Sequence, residues 1–268
     1  MPHFLSPLSL LAPVGQQLNR PLFLFLPGMD GTGQLLNAQI DGLKQQVDIR
    51  CVVLPATSQS WDSLSEQTIQ AIYQEQQRSG PREVYLCGES FGACLALHVI
   101  SKAPEIIHRL ILVNPATAFR QFLWSSWVAS GMKRLPDVLY PLACSILLPF
   151  LANLDQVTIQ DSQALLDAMR SVGYPIATQR VELLSRFDIS DDHYRRMTQP
   201  TLILAGGGDR LLPSVDEAYR LASLIPNVHV HPLPNSGHTC LLERDVNLAK
   251  IMKQYQFGCV DVEELSHC

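Results

Sequence analysis

The sequence predicts an α/β fold: a mostly parallel central sheet flanked by helices, with a helical insertion late in the chain. Short, continuously apolar runs alternate with segments of helical length, as parallel strands covered on both faces do. The alternation breaks between Pro115 and Met197, where only helical-looking segments occur. Glycine-bearing loops follow several of the apolar runs, at the strand ends where such sheets gather their sites.

Pro21-Leu22-Phe23-Leu24-Phe25-Leu26-Pro27 is the first such run, and it empties into Gly28-Met29-Asp30-Gly31-Thr32-Gly33. A helix is expected from Gln34 to Gln46, then a strand from Arg50 to Leu54 stopped by Pro55. The next helix is expected from Trp61 to Gln77, with Ser63-Leu64-Ser65-Glu66 at capping-box spacing. After Ser79-Gly80-Pro81, the strand Glu83-Val84-Tyr85-Leu86-Cys87 leads through Gly88-Glu89-Ser90-Phe91-Gly92 into a helix ending near Lys102, before Pro104. Arg109 to Asn114 is another buried strand. Past the insertion come strand Thr201 to Ala205, the loop Gly206-Gly207-Gly208-Asp209, helix Ser214 to Leu224 and strand Val228 to Pro232. The loop Asn235-Ser236-Gly237-His238 precedes a last helix, Leu241 to Tyr255.

The insertion offers helical segments at Phe119 to Ser130, Leu135 to Leu151, Ser162 to Val172 and Ile176 to Phe187. It reads as a cap spanning 118–197, inserted into a core formed by 1–117 and 198–268. Val138 to Leu154 is its most apolar part. Pro141 and Pro149 are expected to interrupt it, and it is short for a bilayer span. It is either a buried cap helix or a greasy wall for a long acyl or isoprenoid chain.

The 268 residues, 47% hydrophobic and 17% charged, suit one large α/β domain or two small ones. A net charge of −5 with no basic run argues against nucleic acid. Seven cysteines, at 51, 87, 94, 144, 240, 259 and 268, contain no C-x-x-C, so a reducing compartment without a disulfide or metal framework is expected. Met1 to Gly15 carries Pro2, Pro7 and Pro13 and no basic leader, and reads as neither signal nor transit peptide. A cytoplasmic setting is expected, with peripheral contact to a membrane or lipid body through the cap left open.

Gly88-Glu89-Ser90-Phe91-Gly92 is a G-x-S-x-G turn, which lifts a serine hydroxyl to the tip of a strand-to-helix bend. A serine needs a base, and the base needs a group to orient it. Asp209 and His238 follow in the order Ser, Asp, His, each just past a predicted strand. The other position for an acid, after strand Arg109 to Asn114, offers Asn114 and no carboxylate; Asp188, Asp191 and Asp192 belong to the cap and are expected to be solvated. Among the other histidines, His98 and His108 flank a helix, His193 lies in the cap, and His3 and His267 are terminal. His229 and His231 alternate on a strand with no third metal ligand nearby. The oxyanion hole is expected from the backbone N–H groups of Met29 and Phe91. Gly28, Gly31 and Gly33 also suggest a phosphate cradle, but they lack the G-x-G-x-x-G spacing and a following Lys-Ser/Thr. No cofactor or metal is expected.

This order is similar to that of an α/β-hydrolase. Phe25-Leu26-Pro27-Gly28-Met29-Asp30-Gly31-Thr32-Gly33, Gly88 to Gly92, Leu112-Val113-Asn114-Pro115-Ala116-Thr117 and Asn235-Ser236-Gly237-His238-Thr239 more narrowly resemble the hydrolase half of the phytyl ester synthase/diacylglycerol acyltransferase family of plastids and cyanobacteria. The resemblance implies acyl transfer from lipid, acyl-carrier or acyl-CoA donors to phytol or diacylglycerol, besides hydrolysis. Many members add an acyltransferase domain with an H-x-x-x-x-D motif. No histidine here has an aspartate at that spacing, so the chemistry expected is a serine acyl hydrolase or transferase on lipid-like esters or thioesters, with an alcohol as one acceptor. A small-molecule carboxylesterase or thioesterase, and a non-catalytic hydrolase-fold binding protein, are the alternatives.

Overall fold

A computed structural model describes residues 7–57, 59–121 and 136–257. The strands are β1 (Ser9–Leu11), β2 (Leu22–Leu26), β3 (Asp48–Val53), β4 (Val84–Glu89), β5 (Arg109–Val113), β6 (Thr201–Gly206) and β7 (Val228–Leu233). They form one sheet in the order β1-β3-β2-β4-β5-β6-β7, parallel from β3 to β7. The helices are α1 (Ile40–Leu43), α2 (Trp61–Ser79), α3 (Phe91–Lys102), α4 (Tyr140–Leu151), α5 (Ile159–Ser171), α6 (Tyr174–Ser185), α7 (Asp191–Arg195), α8 (Ser214–Ala222) and α9 (Leu248–Gln254).

The continuous apolar runs have the predicted cause. Strand residues alternate between faces. Leu22, Leu24 and Leu26 join the cluster of α2, α3 and α8, while Phe23 and Phe25 join the cluster of α1 and α9. All five are fully buried, each contributing about 1.5–3 kcal/mol by leaving water. These two layers hold β2, β4 and β5 at the centre, so loops after their C-terminal ends are fixed by packing on both sides.

Several boundaries differ from the sequence expectation. β1 is an antiparallel edge strand on β3, pairing Ser9 with Val53; three residues carry too little periodicity to read. The helix expected over Gln34 to Gln46 is a 3₁₀ turn, Asn37–Gln39, followed by the single turn α1, since the chain must enter β3 at Asp48. α2 begins earlier than its apparent capping box: Ser60 is the N-cap and its hydroxyl accepts the Ser63 N–H at 3.1 Å. The last helix is split into a 3₁₀ turn, Cys240–Leu242, and α9, whose cap is Asn247. Between them Glu243 is extended and bridges to Val157.

In the insertion, Ala116–Gln121 is 3₁₀. Most of the helix expected at Phe119 to Ser130, and Leu135, lie outside the described residues. Pro141 and Pro149 do not interrupt α4. Pro141 stands in its first turn, where its missing N–H has no intrahelical acceptor, and Pro149 falls in its last turn. Among the described residues no helix is long and apolar enough to cross a membrane.

Candidate active site

The turn between β4 and α3 has no room for side chains at its glycines. A Cβ on Gly92 would lie 2.6 Å from the Pro27 carbonyl oxygen, and one on Gly88 would lie 2.7 Å from Ala93 Cα. The bend forces Ser90 to φ 54°, ψ −111°. A non-glycine residue there costs on the order of 1–3 kcal/mol, which the surrounding packing must hold. Phe91 supplies much of that packing, fully buried and stacked on Trp61 with ring centroids 4.7 Å apart.

The bend carries Ser90 Oγ to 2.7 Å from His238 Nε2, and His238 Nδ1 stands 2.7 Å from Asp209 Oδ2. The structure thus brings Ser90, His238 and Asp209 together from positions far apart in sequence. Asp209 Oδ2 also accepts from the Ser214 hydroxyl, and Oδ1 accepts the N–H groups of Leu211 at 2.8 Å and Leu212 at 3.0 Å. Burial alone would raise this carboxyl. The charge and hydrogen bond of His238, with Ser214 and the Leu212 N–H, outweigh it and hold Asp209 below the usual carboxylate range.

Asn114 is the residue that sequence reasoning passed over. It occupies the position after β5, is fully buried and adopts φ 42°. Its Nδ2 donates to the carbonyls of His238 at 2.6 Å and Gly237 at 3.1 Å, and its Oδ1 accepts the Gly206 N–H at 2.7 Å. One amide therefore ties the end of β6, which leads to Asp209, to the loop carrying His238. The signal was a polar residue at a strand end where a carboxylate was sought. Asn114→Ala is expected to lose about 2–4 kcal/mol of stability, because three buried backbone groups lose their partner. Urea unfolding checks this, and an unchanged midpoint would refute the brace.

The N–H groups of Met29 and Phe91 make no hydrogen bond to any described residue. Met29 lies beside Gly28 and Ser90 on the cavity wall, and Phe91 opens α3, where a first-turn N–H has no intrahelical acceptor. Glu89, between Gly88 and Ser90, is buried with Oε1 unpartnered. Burial first, and the Asp30 charge second, push its carboxyl up to about 8.

Above Ser90 opens a cavity of about 430 Å³. Its walls are almost wholly apolar: Leu147, Phe150 and Leu151 of α4, Leu165 and Met169 of α5, and Ala177, Val181 and Leu184 of α6. Among the described residues, Asp30, Glu89, Ser90, Tyr140, His238 and Thr239, with the Cys144 thiol, bring polar side chains to it. α4 is thus a wall rather than a buried core helix: Ile146 joins the cavity lining while remaining exposed, and Leu142 is exposed outside that lining.

The rival histidines among the described residues have structural partners; His3 and His267 lie outside them. His98 stacks on Trp61 at 5.1 Å, and burial pulls it down to about 4. His108 Nδ1 accepts the Val84 N–H, His193 pairs with Ser190, and His229 and His231 face the Tyr255 ring. Cys51, Cys87, Cys94, Cys144 and Cys240 are free and buried.

The sequence profile of the alpha/beta hydrolase fold matches residues 21–245. The chain belongs to the α/β-hydrolase fold family. This α/β-hydrolase is 33% identical over 287 residues to phytyl ester synthase 2, chloroplastic, of Arabidopsis thaliana, and 29% identical over 276 residues to phytyl ester synthase 1, chloroplastic, of the same plant. Both alignments cover 94% of this chain and 39% of the relative, so the hydrolase spans well under half the length of these proteins. Among solved structures, a bacterial membrane phospholipase A superposes with a TM-score of 0.75 at 19% identity, over 97% of this chain and 84% of that one. That likeness bears on the fold. Relatives named as ester synthases and as a monoacylglycerol lipase are consistent with a serine hydrolase or acyltransferase.

Proposed function

We propose that this chain is a serine acyl hydrolase or acyltransferase acting on lipid-like carboxylic esters or thioesters through an acyl-enzyme. The observation that carries the reading is a Ser90–His238–Asp209 hydrogen-bond chain opening directly into an apolar cavity of about 430 Å³. In this mechanism Ser90 Oγ attacks the carbonyl carbon as His238 Nε2 takes its proton. Asp209 holds Nδ1–H and balances the imidazolium charge. The Met29 and Phe91 N–H groups receive the oxyanion, an arrangement supported by their having no acceptor among the described residues. Collapse of the tetrahedral intermediate expels the alcohol or thiol, which takes the proton from His238. Water or a second alcohol then repeats the attack on the acyl-enzyme, with His238 again as base.

The cavity's walls favour a long apolar chain over a compact polar one. Names of the relatives extend the proposal to ester synthesis, with phytol as one acceptor to test. A fluorophosphonate probe is expected to add once, on the peptide bearing Ser90, and dodecanoyl esters are expected to turn over faster than acetyl esters. Equal turnover would refute the lipid reading, and a probe-free Ser90 peptide would refute the nucleophile. Incubation of a long-chain acyl donor with phytol or diacylglycerol, followed by mass spectrometry, separates free acid from new ester.

A further inference from the structure

Arg180 is a buried cation, 6% exposed, on a helix whose neighbouring positions line the cavity. Burying a guanidinium costs several kcal/mol unless its donors are satisfied. Among the described residues no carboxylate lies within ion-pair distance of it. Its partners are instead two main-chain carbonyls of the core. Nη1 donates to the Met29 oxygen at 2.6 Å, and Nη2 donates to the Pro55 oxygen at 3.2 Å. The loop is shaped to receive it. Gly31 has φ 66°, and a Cβ there would lie 2.7 Å from Arg180 Cζ, so the guanidinium packs against the bare glycine backbone.

Met29 is the residue whose N–H is assigned to the oxyanion hole. A fixed Met29 carbonyl restricts the torsions on either side of its Cα and hence the direction of that N–H. Arg180 comes from α6, the helix that presents Ala177, Val181 and Leu184 to the cavity. The same helix is tied to α2 by Trp61 Nε1, which donates to the Leu183 oxygen at 3.0 Å. An acyl chain packed against α6 therefore bears on the oxyanion loop through one side chain.

We propose that Arg180 is a positioning residue that couples seating of the acyl chain under α6 to the alignment of the Met29 N–H toward the reacting carbonyl. This rests on the serine acyl-transfer reading above. It makes chain-length preference a matter of rate as well as binding: a long chain, by holding α6 down, keeps the oxyanion donor in place, whereas an acetyl group touches only the cavity floor. Small misplacements of a catalytic donor cost up to about 100-fold in rate.

The test is pre-steady-state acylation of the full chain by p-nitrophenyl dodecanoate and acetate, for the unsubstituted protein, Arg180→Ala and Arg180→Lys. Arg180→Ala is expected to slow acylation by dodecanoate about 10- to 100-fold with little change in KM, and to slow acetate less. Guanidinium ion at non-denaturing concentration is expected to restore part of the dodecanoate rate, by reoccupying the vacated donor position. Arg180→Lys, which keeps the charge and one directed donor, is expected to fall between; it decides the matter if the alanine variant does not fold. An unchanged acylation rate in either variant would overturn the latch. So would an equal loss with both esters that follows a lowered Tm and resists guanidinium, since that is the signature of a structural role. Failure of the parent reading looks different: the unsubstituted protein would then show no acylation burst and no fluorophosphonate adduct.

Discussion

Asp209→Asn is expected to lower kcat for ester hydrolysis by about 10,000-fold while leaving KM and Tm nearly unchanged. The geometry dictates which way the asparagine amide must turn. Asp209 Oδ1 accepts two main-chain N–H groups, from Leu211 and Leu212, whereas Oδ2 faces His238 Nδ1 and the Ser214 hydroxyl. An NH₂ at the Oδ1 position would confront two donors that cannot rotate. The substitution therefore places its NH₂ at the Oδ2 position and its oxygen on Leu211 and Leu212. His238 Nδ1 must then accept, which moves the ring proton to Nε2, and a protonated Nε2 cannot take the proton of Ser90. The variant also loses the negative charge that balances the imidazolium. Near-isosteric shape and two retained N–H contacts keep the loop folded, so the loss falls on rate. Steady-state kinetics with a long-chain ester, together with a melting curve, check both halves. A loss smaller than about tenfold would mean that Asp209 does not set the tautomer.

Ser90 and Asp209 were legible because each sits in a glycine-rich exit from an apolar run, and His238 because it stands in the glycine-bearing loop between the last strand and the last helix; that context survives without tertiary knowledge. The central strands were legible for a related reason: burial on both faces leaves a composition, not merely a period. What could not be read depends on approach between distant segments. Asn114 carries no local mark of its three bonds, since its acceptors and donor come from Gly206, Gly237 and His238. Arg180 carries no local mark either, since what receives its guanidinium is the bare Gly31 backbone and the carbonyls of Met29 and Pro55, all distant in sequence. Ser214 looked like a helix start and proves to be a partner of Asp209. The short or broken elements, β1 and the split final helix, owe their form to ladder and brace contacts that outweigh local propensity.

Glu89 provides the second large effect, and it is one of pH. An acid whose folded pKa, about 8, stands above its ordinary value of 4.5 keeps its proton in the folded state over a range where the unfolded chain has released it. The folded state then binds more protons, so stability falls as pH rises from about 4.5 and levels off above about 8. The full span corresponds to at most about 5 kcal/mol. Glu89→Gln, which mimics the protonated form, is expected to match the unsubstituted protein near the acidic end and to exceed it in Tm increasingly toward alkaline pH. Activity should follow the same titration. Glu89 adjoins Ser90 and shares the cavity wall with Met29, so its anion would oppose the negative charge developing on the oxyanion. The alkaline limb of kcat is thus expected to centre near 8 in the unsubstituted protein and to vanish in Glu89→Gln. The unpartnered Oε1 agrees with this assignment, because a neutral carboxyl tolerates a missing donor far better than a carboxylate does. Parallel Tm profiles for the two proteins, together with an alkaline limb that survives the substitution, would place the titrating group elsewhere and leave Glu89 a packing residue of the elbow.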